Sequence, residues 1–356
     1  MLGDDTMAAD RSTKPLRWPA EWEPHRATWI AWPQQRRDWP GKFPPIPWVY
    51  AEIVRHLHQS EIVGILVNDA GVEAEARRVL TKSGIDLTRI EFRHIPTDRG
   101  WLRDSGPIFV KTAAGRNLAL DWGFNGWAKY DNHLRDAAVP KRLCLANRWQ
   151  RQVIQYRGKQ VVLEGGSIDG NGAGLLLTTE ECLLSPVQQR NPDLTKSAYE
   201  TLFADNLGTK KGLWLGRGIA GDDTHGHIDD LARFVNANTI VVVTETNPRD
   251  ENYEPLQENL ERLHGMTDVE GRRLNIVTLP MPERQSFAGQ RLPASYANFY
   301  VANDRVLVPT FNDPNDRIAL GILADLFPGR KVVGIHAVDL VWGLGTLHCL
   351  TQQEPE

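Results

Sequence analysis

A mixed α/β fold is predicted by three features of this 356-residue sequence. Short β-rich runs alternate with segments of helical period. Some of those runs are joined as hairpins. No Pro/Gly/Ser-rich linker or shift of composition divides the chain. Locally paired strands interleaved with helices bury their apolar faces as helix-covered sheets. Hydrophobic residues make up 41% of the chain and charged residues 24%, enough apolar side chain for a large core, which excludes a disordered chain. One body over residues 17–356 is expected, preceded over residues 1–16 by a polar, flexible leader without the apolar stretch of a secretory signal.

The elements follow in order. Pro-rich PGKFPPIP (40–47) reads as a surface loop before a helix over 48–58. EIVGILVND (61–69) is a strand ending in turn residues, and GVEAEARRVLTKSG (71–84) has helical spacing and a terminal Gly, a usual helix stop. IEFRHIP (90–96), QVVLEGG (160–166), LLLTTEECLL (175–184), RFVNANTIVVV (233–243) and RLNIVTLP (273–280) read as strands. YANFYVANDRVLVPTF (296–311) is two β runs around Ala-Asn-Asp, a hairpin signal. Asp313-Pro314 supplies a cap and a first-turn proline for the next helix. KVVGIHAVDLV (331–341) and LHCLTQQ (347–353) close the chain as strands.

Composition excludes several functions. Net charge is −4 with charges mixed along the chain, so no basic stripe offers itself to nucleic acid. No apolar run reaches the length of a membrane span. The mild acidic excess suits a small cationic partner. The three cysteines, Cys144, Cys182 and Cys349, are odd in number and far apart. That fits neither a disulfide framework nor zinc spacing, and a reducing cytoplasm is the expected setting. Each thiol is either a buried small hydrophobe or a nucleophile. The sequence leaves monomer and homo-oligomer equally open.

Four segments carry candidate chemistry. In GDDTHGHIDDLARFV (221–235), an extended chain would put His225, His227 and Asp229 on one face and Asp230 on the other. That pattern suits metal ligands, an acid/base histidine with a carboxylate partner, or a polar turn before LARFV. In DRGWLRDSGPIFV (98–110), Asp104 precedes a Ser-Gly-Pro turn and a strand, a site position in α/β proteins or an Asp bonded to its own turn. In VVLEGGSIDGNG (161–172), Glu164 ends a β run, and Gly-Gly allows a tight turn or a close backbone approach. It is not a phosphate-binding loop, since the Lys-Ser/Thr is missing. In VWGLGTLHCLTQQ (341–353), a glycine-rich turn delivers Cys349 to a β run with a histidine beside it. Cys144 and Cys182 have no such surroundings.

DRGWLRDSGP, LEGGS, THGHIDDLARF and GLGTLHCLTQQ, in that order, resemble the agmatine deiminase and bacterial peptidyl-arginine deiminase family of the guanidine-modifying (pentein) superfamily. WPAEWEPHRATWIAWP (18–33) and LPASYANFYVANDRVLVPTFNDPND (292–316) look like it too. The resemblance implies a five-bladed α/β propeller of ββαβ-like units around a central site. By position it implies Cys349 as nucleophile, His227 as general acid/base, and Asp104 and Asp229 as the guanidinium-binding carboxylates. It further implies Glu164 as the acidic residue supporting the site and Trp101 as an aromatic on the substrate side. His225 has no match. The family's last motif often reads GGGN-I-H-C, whereas Leu344 and Thr346 stand here in place of a Gly and the Asn.

The residue types suit that chemistry. Two carboxylates can hold the N–H fork of a planar guanidinium and present its carbon to a thiolate. Histidine can protonate the departing ammonia and then activate water, by way of a thiouronium on Cys349. The resemblance therefore implies hydrolysis of agmatine to N-carbamoylputrescine and ammonia, a step toward putrescine, with no metal or cofactor. The lack of a secretion signal favours the small metabolite; peptidyl arginine or another guanidine is the alternative. A metal-dependent amidohydrolase built on His225, His227 and Asp229 is the remaining enzyme reading. On the nucleophile assignment, Cys349→Ala lowers turnover by roughly 10³-fold or more while substrate still binds. Undiminished ammonia release from the purified variant would reject the assignment.

Overall fold

Branched and aromatic side chains fill strands that assemble in one recurring order: a short first strand, an antiparallel second, a helix, and a third strand parallel to the second. The computed structural model describes residues 16–356. The leader expected over 1–16 therefore lies outside the described residues except for Leu16, which packs on a core cluster.

Five sheets follow this order among the described residues. Ile108–Lys111, Asn117–Asp121 and Arg151–Val153 form one, with helix Val139–Asn147 before its parallel strand. Asp169–Gly170, Leu175–Thr179 and Lys211–Leu215 form the next, with helix Lys196–Leu207. Ala232–Asn236, Thr239–Thr244 and Asn275–Pro280 follow with helix Tyr253–Gly265. Tyr300–Val301, Arg305–Thr310 and Lys331–His336 follow with helix Pro314–Leu326. The remaining sheet joins both ends of the described chain. His25–Ala31 runs antiparallel to Gln352–Pro355 and parallel to Ile62–Val67, which carries Ile90–His94 on its far side.

Local chemistry explains the helix ends. Asp313 and Asp316 form a reciprocal capping box at the start of Pro314–Leu326, and Asp69 accepts from the Gly71 and Val72 amides. The early helix begins at Ile46, ahead of the position expected, because Pro45 and Pro47 both fit the first turn. RFVNANTIVVV is two strands turning at Asn236–Thr239 rather than one. Two expected strands are partly helical. Thr179 caps a turn over Glu180–Leu184 through the Cys182 amide. Cys349 sits on a helical turn, Leu347–Leu350, and the strand starts only at Gln352. No helix among the described residues is long and apolar enough to cross a membrane.

Each unit enters its first strand through a short connecting segment. Those segments contain Asp104, Glu164, His227 with Asp229, Asn298, and Cys349. Residues remote in sequence thus occupy equivalent places in five repeats of one pattern.

Gly64 shows how tightly the closing sheet is packed. It lies opposite Trp29 across the parallel strands, and an added Cβ would fall 2.1 Å from Trp29 Cε3. Trp29 is fully buried, edge-on to Trp149, and donates to Glu354. Gly64→Ala therefore destabilises the fold by roughly 1–3 kcal/mol through overpacking. Thermal denaturation checks this; an unchanged Tm would mean that the indole can move aside.

Candidate active site

Cys349 stands at the floor of a cavity of about 350 Å³ that also exposes Trp101, Asp104, Trp127, Tyr130, Asp223, Leu344 and Gly345. Its Sγ accepts from Asn298 Nδ2 at 3.1 Å and lies 3.6 Å from Asp229 Oδ2. Asn298 is itself fixed: Nδ2 also donates to Asp230, while Oδ1 accepts from Thr346 Oγ1 and the His348 amide. Thr346, which departs from the usual motif, thus contributes a hydroxyl that holds the amide facing the sulfur.

Asp104, Asp229 and His227 converge beside this thiol. Asp104 accepts from the Gly166 amide at 3.0 Å and from Trp127 Nε1 at 2.9 Å, so it is bonded across the site rather than within its own turn. Asp229 lies on the turn Ile228–Asp230. Its Oδ2 meets His348 Nδ1 at 2.7 Å, and its buried Oδ1 has no partner. His227 turns Nδ1 toward Asp104 and Asp229, at 3.8 and 3.9 Å, and Nε2 toward Glu164, at 3.9 Å. Glu164 is fully buried and paired with Arg190 at 3.0 Å. It lies behind the imidazole, away from the cavity wall. Cys182 also lies against His227: the ligand atoms of Glu164, Cys182 and His227 fall within 4.8 Å of one another.

The Gly-Gly pair answers to close approach. A Cβ on Gly166 would come 2.5 Å from His227 Nδ1 and 2.8 Å from Asp104 Oδ1. His225 leaves the cluster expected for it. Its backbone is left-handed, with φ 66°, and its ring reaches Ser185 Oγ at 3.1 Å. The extended geometry expected for HxHxD is broken there, so His225, His227 and Asp229 do not share a face.

Two layers of countercharge support the carboxylates. His348 bridges Asp229 and Glu21, its Nε2 at 2.8 Å from Glu21 Oε2. Both contacts are satisfied when both ring nitrogens carry protons, since carboxylates only accept. Glu21 in turn meets Arg233 at 3.0 Å and Arg103 at 3.3 Å. Sequence reasoning missed Glu21, Cys182, Arg190, Asn298 and His348. For His348 a signal existed, as the imidazole next to Cys349.

Electrostatics follow from burial and these neighbours. Burial raises Asp104 to about 6, with His227 opposing and Asp229 and Glu164 adding to the rise. Burial would likewise raise Glu164, but Arg190 and His227 outweigh it and hold that carboxyl at about 2. Burial would lower His227, but Asp104, Cys182 and Glu164 together push it well above the ordinary imidazole range. Asp229 is lowered, its burial overcome by His348, His227 and Arg233. The Cys349 thiol is pushed well up by burial and by Asp229, Asp230 and Asp104. In the empty site the thiol therefore keeps its proton.

The arrangement can hold a cation against its carboxylates, with a thiol and an imidazole beside them. The model of the Porphyromonas-type peptidyl-arginine deiminase family matches residues 17–355. The chain belongs to this family. A Selenomonas ruminantium relative is 36% identical over 379 residues, covering 100% of this chain and 99% of that one. An agmatine deiminase of Ectopseudomonas mendocina is 32% identical, covering 95% of each chain. Among solved structures, the Enterococcus faecalis agmatine deiminase superposes with a TM-score of 0.87 at 32% identity over 96% of both chains. A C. jejuni agmatine deiminase with substrate bound gives 0.85 at 31% identity, over 96% of this chain and 97% of that one. The mixed α/β fold read from the sequence is that of the deiminase family.

The buried charges also set the pH response of the fold. Asp104 is raised to about 6, and burial raises Asp38 and Asp136 to about 7 each. For acids raised in this way, the stabilising contribution is complete below the unfolded value near 4 and is lost as pH climbs through 6–7. Raised His227 acts in the same direction. Lowered Glu21, Glu164 and Asp229 contribute stability that disappears only in more acid solution. Tm of the ligand-free protein is accordingly higher at pH 5.5 than at pH 8, by the equivalent of a few kcal/mol, on the order expected for such shifts. A Tm that rises with pH across this interval contradicts the charge assignment.

Proposed function

We propose that this protein is an agmatine deiminase, converting agmatine and water to N-carbamoylputrescine and ammonia. The observation that carries this reading is the unpartnered Oδ1 of Asp229, buried in the same site as Asp104, with the Cys349 sulfur 3.6 Å from the other oxygen of Asp229. The relatives named as agmatine deiminases support the substrate.

The steps are these. The guanidinium lies between Asp104 and Asp229, its N–H groups donating to both. Its positive charge offsets the carboxylates that raise the thiol, so Cys349 releases a proton to water as substrate binds. Thiolate attacks the guanidinium carbon, forming a C–S bond. His227, protonated at Nδ1 on the substrate side, gives that proton to the departing nitrogen. The C–N bond breaks, ammonia leaves, and a thiouronium remains on Cys349. Neutral His227 then takes a proton from water, whose oxygen adds to the same carbon. The C–S bond breaks as the adduct's hydroxyl loses its proton to water, returning thiolate and the neutral ureido product. Glu164 and His348 are positioning residues: Glu164, behind Nε2, keeps His227 charged, and His348 holds one oxygen of Asp229 so that the other faces the substrate.

The cavity accounts for the rest of the molecule. Trp101, Trp127 and Leu344 can cover a methylene stem, and the terminal ammonium can reach the unpartnered Oδ2 of Asp38. Of the two arginines lining the cavity, Arg99 is occupied by Asp38 and by the Tyr130 ring, 4.2 Å from its guanidinium, and Arg37 lies exposed. Three unpaired cysteines suit a reducing cytoplasm. We also read the five repeated units as blades of a propeller, an arrangement supported by the pairing of the last strand with the first.

Two experiments test the function. Ammonia release is expected to give agmatine at least a tenfold higher kcat/KM than free arginine and than an arginyl peptide. A peptide that outranks agmatine overturns the assignment. Because Asp104 must be ionised to grip the cation and titrates at about 6, kcat/KM falls below that pH by about tenfold per unit. A profile level down to pH 4.5 would remove Asp104 from substrate capture.

A further inference from the structure

Behind His227, on the side away from the substrate, three donor types meet: the Glu164 carboxylate, the Cys182 thiol and the imidazole. Their ligand atoms lie within 4.8 Å of one another, and all three residues are buried. His227 Nε2 and Glu164 Oε2 face each other at 3.9 Å, and neither has a hydrogen-bond partner. That separation is too long for a hydrogen bond. It is close to the roughly 3.4 Å that separates two ligands of one tetrahedral zinc, given bonds of about 2.0–2.2 Å.

We infer that Glu164, Cys182 and His227 form a binding site for a thiophilic divalent cation of the zinc class, and that filling it silences the enzyme. Nitrogen, sulfur and carboxylate oxygen together suit zinc or cobalt and not magnesium or calcium. The surrounding groups are already arranged for it. Nδ1 of His227 faces Asp104 and Asp229 at 3.8 and 3.9 Å, beyond hydrogen-bond reach but on the side where carboxylates back a ligating imidazole. Arg190 holds Oε1 of Glu164, leaving Oε2 turned to the cluster. The Cys182 amide is fixed by Thr179 Oγ1 at 3.0 Å, which sets the thiol at the head of its helical turn. Water would complete the coordination. None of the three residues lines the open cavity, so loading is slow. A metal on Nε2 occupies the lone pair that a proton needs, and the imidazole can no longer cycle between charged and neutral forms. The silencing rests on the role proposed for His227 above; the binding does not.

Cobalt reports the ligands directly. In the full chain carrying Cys349→Ala, stoichiometric Co²⁺ is expected to give tetrahedral visible bands and a near-ultraviolet thiolate charge-transfer band. Adding Cys182→Ser, which keeps the side-chain volume, is expected to abolish the charge-transfer band. No saturable band, or one that survives the loss of Cys182, overturns the site. In the enzyme with Cys349 intact, preincubation with Zn²⁺ is expected to lower turnover progressively and a chelator to restore it. Cys182→Ser is expected to raise the zinc concentration needed at least tenfold, relative to its own metal-free rate. A Cys182-dependent cobalt spectrum with zinc-insensitive turnover would retain the site and overturn the silencing, and with it the role of His227.

Discussion

Everything at the centre of this molecule answers to the crowding of buried negative charge. Asp104, Asp229, Asp230 and Glu164 are packed within a few side chains of one another with almost no water to screen them. Isolated burial of even one carboxylate is costly, and neighbours of like sign add to the cost. The fold divides the problem. Glu164 and Asp229 are held ionised from behind by Arg190 and by His348 with Arg233. Asp104 and Asp230 are left with raised values. On the function proposed above, a flat cation entering the cavity supplies the missing charge, and the same event makes the thiol reactive. Affinity and activation thus come from one electrostatic deficit.

The supports are as specific as the reactive groups. Asp229 has one oxygen tied to His348 and one free, a division that a lone Asp in a polar turn would not have. His348 reaches Glu21, and Glu21 reaches two arginines, so the orientation of a single carboxylate is set through a chain of buried ions crossing between sheets. Removing a member would leave its partner charged and buried, which is why such chains hold geometry better than they add stability.

What could be read along the chain was what lies close together in it. Cys349 was legible from its glycine turn, and Asp104, Glu164, His227 and Asp229 from compact motifs whose resemblance to a known family assigns them roles. The hairpin at 300–310 and the capped helix at 314 were legible from turn and cap chemistry. The geometry around Cys349 was not: the β-rich look of LHCLTQQ conceals a helical turn, because side-chain pattern over so few residues cannot separate the two. His225 was misplaced because a left-handed backbone at that residue interrupts the alternation on which the grouping depended. Asn298, Glu21 and Cys182 were invisible for another reason. Their partners lie far away in the sequence, and only the folded chain brings them together. Asn298 occupies in its unit the place that Cys349 holds in another, so the order of strands would have pointed to it once the repeat was known.

The pairing of Gln352–Pro355 with His25–Ala31 has a temporal meaning. Cys349 sits just ahead of the strand that joins the two ends of the described chain, so its sulfur and the carboxylates meet only when Gln352–Pro355 docks on His25–Ala31. Contacts of such long sequence separation form slowly, since the intervening loop must be ordered first. During synthesis, the early strand emerges with one edge unfilled and waits for its neighbour. A chain interrupted before residue 347 would hold three carboxylate-bearing segments and Asn298 but no Cys349, so the full set of groups assembles only together with the final seam.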